Sequence, residues 1–326
     1  MTELATGLGM LGLSADEAVA RRPREMVSIS PELWDLLGRA AAGGDVAQDF
    51  YAAWANGKAF LEAADGLRGR RPAVVEWKGA QRAPGDEVVP ADLRVDHVFL
   101  VSCKYLSRIL TNASPSHLFE RLLKGGHGVR RPDWYDTVAP EEYQHLYESA
   151  RLDLGGRGLP RHLGELTADG RRLLRTELSA GWPPTCADAY ARLITRVAEG
   201  SARRWRMSLA SQGEREAMLW RLLRIGSAPY FVLGSSPAGP LRLRIATPWD
   251  WRQEFRLLEF DVVAEAAGQP RVAWAALIRE HHTGAERGIR GHVEIRWSHG
   301  RFAGPPEAKV YLDTPHGEVP GYIPLC

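Results

Sequence analysis

The sequence predicts an α+β fold, in which an α/β core is followed by a helical middle region and a C-terminal antiparallel β-domain. Apolar residues recur at helical spacing near the N-terminus and again between residues 140 and 226. Residues 228–326 instead alternate apolar and polar side chains in short runs between Gly and Pro turns, which is typical of antiparallel strands. We therefore divide the chain into an N-terminal arm (1–30), an α/β core (31–135), a helical region (136–227) and a β-domain (228–326).

The composition is that of an ordinary globular protein. The chain has 326 residues, of which 44% are hydrophobic and 25% charged, so it can bury a core in one large or two smaller domains. A formal net charge of +2 does not by itself indicate a nucleic-acid partner. No apolar run reaches the roughly 18 residues of a membrane span, and the N-terminus lacks a signal-peptide pattern. We expect no membrane association.

Cysteine usage predicts a reducing environment. The sequence has three cysteines, Cys103, Cys186 and Cys326, which are too few and too scattered for a disulfide framework or a CxxC metal site. We therefore expect a cytoplasmic protein.

Three helices are predicted before the first strand. The first thirty residues are rich in Gly and Arg, and we interpret them as an arm with one short helix after Ser14. Ser30 and Pro31 predict a helix start, because Ser caps a helix N-terminus and Pro fits the first turn. Asp45 is predicted to cap a longer helix, on which apolar residues recur at helical spacing: Val46, Phe50, Trp54 and Leu61.

A β-hairpin is predicted in the stretch PADLRVDHVFLVSCKYLSRILTN, residues 90–112, after a first strand at residues 72–77. Asp96 and His97 suit a two-residue hairpin loop. Counting back from this turn places Asp92 opposite Val101 and Ser102. Lys104 then lies on the same face as Ser102, because strand side chains alternate with period 2.

Four helices are predicted after the core. Their bounds are Pro140 to Leu152, Thr167 to Ala180, Thr185 to about Met207, and Ser211 to about Gly226. Ser211, followed by Glu214, has the capping-box pattern. The last two helices carry many arginines with interleaved tryptophans, so Arg203 and Arg204 are candidates for nucleic-acid backbone contacts. A solvated helix face explains the same residues equally well.

The C-terminal region changes to strands. Leu241, Leu243 and Ile245 alternate with arginines, which predicts a sheet with one wet, partly basic face. We expect one antiparallel domain that recognises a target or partner. Its six predicted strands are Pro229 to Gly234, Leu241 to Thr247, Glu254 to Glu265, Arg271 to Glu280, Gly288 to Ser298 and Ala308 to Asp313.

An acid on one strand that faces a lysine on the next can hold a divalent cation and a water molecule. A hard cation such as Mg²⁺ takes oxygen ligands and keeps several waters. Asp92 would supply a carboxylate and Cys103 a backbone carbonyl. The Lys104 ammonium would hold the water that attacks a phosphodiester, while the metal stabilises charge on the phosphate.

This pattern resembles the PD-(D/E)xK nuclease superfamily of many restriction endonucleases, which use an Asp and then an acid-x-Lys on the next strand. The resemblance covers roughly residues 45–124. Here Pro90 is separated from Asp92 by Ala91, and Ser102 stands where the family has its second acid. Glu76, in VVEWKG, is the strongest local substitute for the lost carboxylate. The resemblance implies a restriction-endonuclease-like core that uses Mg²⁺, with Mn²⁺ as a substitute.

Other placements of the chemistry stay open. Only five of the 42 basic residues are lysines, so a lysine in this stretch is a weak indication of chemistry, and a solvated Asp and Lys would look the same. Glu307-Ala308-Lys309 is another acid-x-Lys triplet. Histidines cluster in the β-domain, but they lack the spacing of a zinc site. The polar residues Ser107, Arg108 and Asn112 would lie near the metal end of the hairpin and bind phosphate, or they form a plain polar connection.

The function we expect is metal-dependent hydrolysis of DNA, in restriction or phage defence. The first alternative is a catalytically inactive nuclease-like fold that serves as a nucleic-acid-binding or assembly subunit. A more distant alternative is an arginine-rich adaptor without a nucleic-acid partner. A separate ATPase or other defence-system partner and a homodimer are left open.

Overall fold

The computed structural model describes residues 1–79, 91–106, 109–121, 133–156, 158–226 and 228–326. It has an α+β architecture with two sheets, one of which mixes parallel and antiparallel strands. Among the described residues, no helix has the length and apolar character needed to cross a membrane. The chain folds into two compact units.

Within the described ranges, the α-helices are α1 (Thr2–Gly9), α2 (Ala15–Arg21), α3 (Pro31–Ala41), α4 (Ala47–Glu62), α5 (Trp134–Val138), α6 (Pro140–Asp153), α7 (Ala168–Glu177), α8 (Ala187–Ser208), α9 (Gln212–Leu223) and α10 (Pro248–Glu254). The strands are β1 (Met26–Val27), β2 (Val75–Trp77), β3 (Leu93–Val95), β4 (Phe99–Tyr105), β5 (Ile109–Ala113), β6 (Tyr230–Ser236), β7 (Gly239–Ile245), β8 (Phe255–Ala266), β9 (Pro270–Glu280), β10 (Glu286–Arg296), β11 (Glu307–Leu312) and β12 (Tyr322–Pro324). Short π- or 3₁₀-helical turns lie at His117–Arg121, Leu163–Glu165, Pro184–Cys186 and His316–Glu318.

The first unit contains Met1–Arg108, Leu223–Phe255 and Pro315–Cys326. Its sheet has the order β1-β2-β3-β4-β6-β7-β12. Helices α1 to α4 and one face of this sheet enclose an apolar core. The unit is therefore built from three separate stretches of the chain.

The N-terminal residues are part of this core, whereas the sequence predicted an arm. Leu4 and Leu8 of α1 are fully buried. Helices α1 and α4 approach closely, since a Cβ at Gly9 would lie 2.0 Å from the Trp54 carbonyl oxygen and a Cβ at Gly57 1.9 Å from that of Thr6. An eight-residue helix rich in small side chains has a weak apolar pattern, so its burial depends on this contact rather than on a signal visible in the segment itself.

The predicted hairpin is confirmed. Asp96 and His97 have φ values of 49° and 59°, and Val98 N–H donates to Val95 C=O at 3.0 Å. Leu93 pairs with Val101 across the two strands. The Asp96 side chain also stabilises the turn, because its Oδ1 accepts hydrogen bonds from the Ala73 and Val74 amides, which lie just before β2.

The second unit contains Ile109–Leu222 and Arg256–Thr314. Its sheet has the order β5-β11-β10-β9-β8, and α8 packs on β9. The packing is aromatic: the Trp205 ring lies 5.2 Å from Phe119 and 6.2 Å from Phe260, which stacks on Trp274. Tyr135 donates its hydroxyl to the Ile295 carbonyl at 2.8 Å. This core face is buried and largely apolar.

The four helices predicted after the core are confirmed to within a few residues as α6 to α9. Ser211 and Glu214 form the predicted capping box, with reciprocal bonds between each backbone N–H and the other side chain. The predicted Asp45 cap is wrong, since α4 begins at Ala47 with Val46 at its N-cap and no side-chain cap bond.

One C-terminal β-domain was predicted, and its strands are instead shared between the two sheets. β6 pairs in parallel with β4, so that Lys104 lies beside Gly234, and β7 pairs with β6 and β12. β8 to β11 form the second sheet, which β5 joins from the predicted core. Alternation shows which side chains share a face of a strand, but it does not show which strand lies alongside.

Candidate functional site

The candidate site lies on the first sheet, where Asp92 stands between two strands. Asp92 N–H donates to Val101 C=O at 2.9 Å, and Lys78 N–H donates to Asp92 C=O at 3.0 Å. The backbone of Asp92 therefore continues the ladder one residue beyond β3. This places Asp92 between Lys78 on the β2 side and Ser102 on the β4 side.

The Asp92 carboxylate is held by β4. Its Oδ2 accepts from the Cys103 backbone N–H at 2.6 Å and from the Ser102 hydroxyl at 3.1 Å. In the part of the chain that the structure describes, Oδ1 has no hydrogen-bond or ion-pair partner. Asp92 thus has one oxygen fixed by the protein and one that can accept a further ligand.

Lys104 lies two residues beyond Ser102 on β4, and the alternation of strand side chains puts both on one face. Its backbone neighbour on β6 is Gly234. A Cβ at Gly234 would lie 1.8 Å from the Lys104 carbonyl oxygen, so the close approach of the two strands requires glycine there. The structure therefore brings Asp92, Ser102 and Lys104 to one face of neighbouring strands.

Glu76, the predicted substitute acid, lies opposite Arg94 on the adjacent strand. Arg94 contacts Glu76 Oε2 through Nε at 2.7 Å and Nη2 at 2.6 Å, and Lys78 Nζ lies 3.3 Å from Oε1. Partial burial raises the pKa of Glu76, but the hydrogen bonds from Arg94 and Lys78 outweigh it and hold the pKa below its ordinary value. Both Glu76 oxygens are therefore engaged by cations.

Cys103 faces the opposite side of the sheet, toward the core of the first unit. Burial raises the pKa of its thiol well above the ordinary value, and the negative charges of Asp92 and Glu3 add to this effect. The thiol is thus a protonated core group. Cys103 contributes to the site through its backbone, with its N–H on Asp92, whereas the sequence suggested its carbonyl as a metal ligand.

The donor set fits a cation held by few protein ligands. Among the described residues, no group of three or more His, Cys, Asp or Glu side chains could hold a metal ion. Mg²⁺ commonly binds through one or two carboxylates and completes its shell with waters and substrate phosphates. Asp92 Oδ1 meets that requirement, and Glu76 would first have to leave Arg94 or Lys78.

Two of the predicted phosphate contacts, Asn112 and Arg204, have partners within the second unit. Asn112 is in β5 of the second unit, where its amide donates to Glu307 Oε2 at 3.1 Å. Arg204 pairs with Glu120 and lies over the Trp134 ring, 5.6 Å from its centroid. Arg203 joins Arg204 in lining a cavity of about 500 Å³ in that unit. The remaining two predicted contacts, Ser107 and Arg108, lie outside the described residues.

Sequence reasoning missed Arg94 and did not assign Lys78 a partner. Arg94 follows Asp92 by two residues, so alternation alone puts it on the same face. The pairing of Glu76 with Arg94, however, depends on the register between β2 and β3, and the long connection between those strands left this register undetermined.

Comparison of the chain with protein-family models, with curated proteins and with solved structures finds no match.

Proposed function

We propose that this chain is a metal-dependent nuclease with a restriction-endonuclease-like core that hydrolyses DNA phosphodiester bonds at Asp92 and Lys104. The observation that carries the proposal is the hairpin register, which pairs Asp92 with the Ser102 hydroxyl and the Cys103 amide. The resemblance to PD-(D/E)xK nucleases requires an acid and an x-Lys on neighbouring strands. The bonds of Asp92 to β4 support this resemblance, with Ser102 in place of the second acid.

Each residue has a distinct role in this proposal. Asp92 would hold the cation, while the Ser102 hydroxyl and the Cys103 amide keep its carboxylate in place. Lys104 positions the attacking water. When bound, Mg²⁺ would stabilise negative charge on the scissile phosphate. Glu76 supplies negative charge beside the site and offsets Arg94 and Lys78, which would otherwise repel a cation.

A second candidate function is a nuclease-like subunit that binds nucleic acid without cutting it. The observation that favours it is the engagement of both Glu76 oxygens by Arg94 and Lys78. A phosphate group could accept from the same two cations if Glu76 turned away. Binding would then depend steeply on salt, because phosphate contacts release counterions.

The test measures cleavage of plasmid DNA and of a labelled single-stranded oligonucleotide with Mg²⁺ or Mn²⁺. Lys104→Ala and Asp92→Asn are expected to lower the cleavage rate at least about 100-fold, since they remove the water-positioning amine and the metal ligand. Lys58→Ala is the control, because Lys58 is an exposed lysine on α4 whose partner is Glu62. It should cut like the wild type.

Metal-dependent cleavage that survives in the folded Lys104→Ala protein would contradict the assignment of Lys104. Wild-type protein that binds DNA but does not cut it with either metal would favour the second candidate. Circular dichroism on each variant separates loss of chemistry from loss of fold.

A further inference from the structure

The second unit contains a cavity of about 490 Å³ that the proposed nuclease site does not use. It lies at the end of β10, in the size range of roughly 300–1,000 Å³ in which small ligands bind. Its lining contains aromatic and arginine side chains, and among the described residues that line it none is acidic. These aromatic and arginine side chains include Trp182, Tyr190, Trp297, Arg175, Arg296 and Arg301.

The aromatic part of the lining is a cluster of flat rings. The Trp182 ring lies 4.9 Å from Tyr190 at an interplanar angle of 34°, and 6.0 Å from Trp297. Trp182, Tyr190 and Trp297 are only partly buried. Partly exposed rings can stack against a planar ligand, as aromatic side chains do with nucleobases.

Three arginines supply positive charge to the same cavity. The Arg301 guanidinium lies 5.0 Å from the Trp182 ring centroid and also bonds to the Leu178 carbonyl. Arg296 forms an ion pair with Glu294 at 3.4 Å and donates a hydrogen bond to the Tyr311 hydroxyl. No carboxylate in the described chain lies within 4.0 Å of the guanidinium of Arg175 or Arg301. Two of the three arginines therefore have charge available for an anion.

Arg175 packs against Gly300 at the edge of the cavity. This glycine has a φ of +104°, and a Cβ there would lie 2.7 Å from Arg175 Cγ. The loop after β10 and helix α7 can therefore pack closely only because position 300 has no side chain. The packing holds the Arg175 stem against the loop that contributes Trp297 and Arg301.

We propose that this cavity binds a nucleotide, either free or within a single strand of nucleic acid. The base would stack on the aromatic cluster, and its phosphate would pair with Arg175 and Arg301. Aromatic rings alone would also suit an organic cation, but three arginines in the lining disfavour a positively charged ligand. A phosphate-bearing planar group satisfies both halves of the cavity. The proposal does not require cleavage at Asp92.

The test is a binding assay on the full chain without divalent metal, so that cutting cannot interfere. The probes are a labelled oligonucleotide of mixed bases, an abasic oligonucleotide of the same length, and free dAMP monitored by tryptophan fluorescence. The test variant is Arg175→Glu. The matched control is Arg172→Glu, which carries the same charge change on the same helix at an exposed residue paired with Asp169.

Arg175→Glu is expected to weaken binding at least about tenfold and to lower the slope of log affinity against log salt by about one, while Arg172→Glu stays within about twofold. Trp182→Phe, which keeps an aromatic ring in the packing, should weaken binding of the base-bearing oligonucleotide more than binding of the abasic one. Binding of dAMP that is lost in Arg175→Glu would identify a free nucleotide as the ligand. Oligonucleotide binding alone would identify a single strand.

The proposal is overturned by any of three results. These are no binding of any probe, equal binding of the abasic and base-bearing strands, or equal effects of the Arg175 and Arg172 variants. Because the assay contains no metal, none of these results depends on whether Lys104 supports hydrolysis.

Discussion

The two sheets each carry an acid-x-Lys triplet, and the two glutamates have different surroundings. Glu76, at β2 in the first sheet, is bound by the cations Arg94 and Lys78. Glu307, at the start of β11 in the second sheet, accepts from the neutral Asn112 amide at 3.1 Å and the Ser298 hydroxyl, with His299 Nε2 3.7 Å away. Partial burial raises the pKa of Glu307, but bonds from Ser298 and Asn112 outweigh it, so its pKa is lowered like that of Glu76.

The comparison shows how little the triplet determines by itself. Spacing of two residues puts the acid and the lysine on one face of a strand. The residue across the ladder does not decide what the acid does either, because an arginine stands opposite both glutamates. What differs is where that arginine bonds: Arg94 bonds to Glu76, whereas Arg296 bonds to Glu294 and Tyr311.

The largest expected effect is on the Mg²⁺ dependence of cleavage, which should change when Glu76 is substituted but not when Glu307 is. Glu76→Gln leaves Arg94 and Lys78 without their shared carboxylate, so positive charge builds up beside Asp92 and disfavours a cation. We expect the Mg²⁺ concentration for half-maximal cleavage to rise at least about tenfold, which corresponds to about 1.4 kcal/mol. Glu307→Gln should leave it unchanged. Titration of cleavage with Mg²⁺ measures both, and an equal shift in the two variants would remove Glu76 from the site.

A second difference concerns buried polar contacts in the two cores. Asn56 donates to the Gly234 carbonyl at 2.8 Å and accepts from Arg242 at 2.9 Å, whereas Tyr135 makes a single bond to Ile295. Asn56→Ala removes two hydrogen bonds, one of them buried, and we expect it to lower the free energy of unfolding by about 2–3 kcal/mol. Tyr135→Phe removes one buried hydrogen bond, and we expect a loss of about 1 kcal/mol. Urea denaturation measures both losses of unfolding free energy. A larger loss for Tyr135→Phe than for Asn56→Ala would contradict the prediction.

The smallest expected effect is in the acid dependence of stability. A glutamate whose pKa is lower in the folded than in the unfolded protein stabilises the fold above its unfolded pKa, and this contribution is lost as pH falls from about 4.5 through the folded pKa. Glu76→Gln and Glu307→Gln should each flatten the acid side of the stability curve. About 1 M salt should weaken the contribution of Glu76 more, since ion pairs are screened and neutral hydrogen bonds much less so. Urea denaturation across this pH range, at low and high salt, measures the difference. An equal response to salt would show that Lys309 and His299 act on Glu307 as strongly as Arg94 and Lys78 act on Glu76.

The hairpin could be predicted because its determinants are local. Asp96 and His97 are residues that tolerate positive φ, and counting from the turn placed Asp92 opposite Val101 and Ser102. The capping box at Ser211 was predictable for the same reason. These features depend on residues a few positions apart, where sequence spacing and spatial neighbourhood agree.

The remaining features depend on residues far apart in the chain. β6 lies beside β4, and Asn112 of β5 lies opposite Lys309 of β11, although the paired residues are separated by more than one hundred positions. Arg94 could be placed on the face of Asp92 but not against Glu76. The aromatic and arginine cavity has contributions from α7, α8 and the loop after β10, so no single segment displays it.

The discontinuity of the first sheet has a consequence for how the protein is made. While Leu223–Phe255 is still to be synthesised, β4 has an open edge whose N–H and C=O groups can pair with another chain. β7 has the same exposure until β12 joins it. Such distant pairings slow folding. Residues 315–326 must be synthesised before all seven strands of this sheet can pair, so nascent or truncated chains are the species at risk of aggregation.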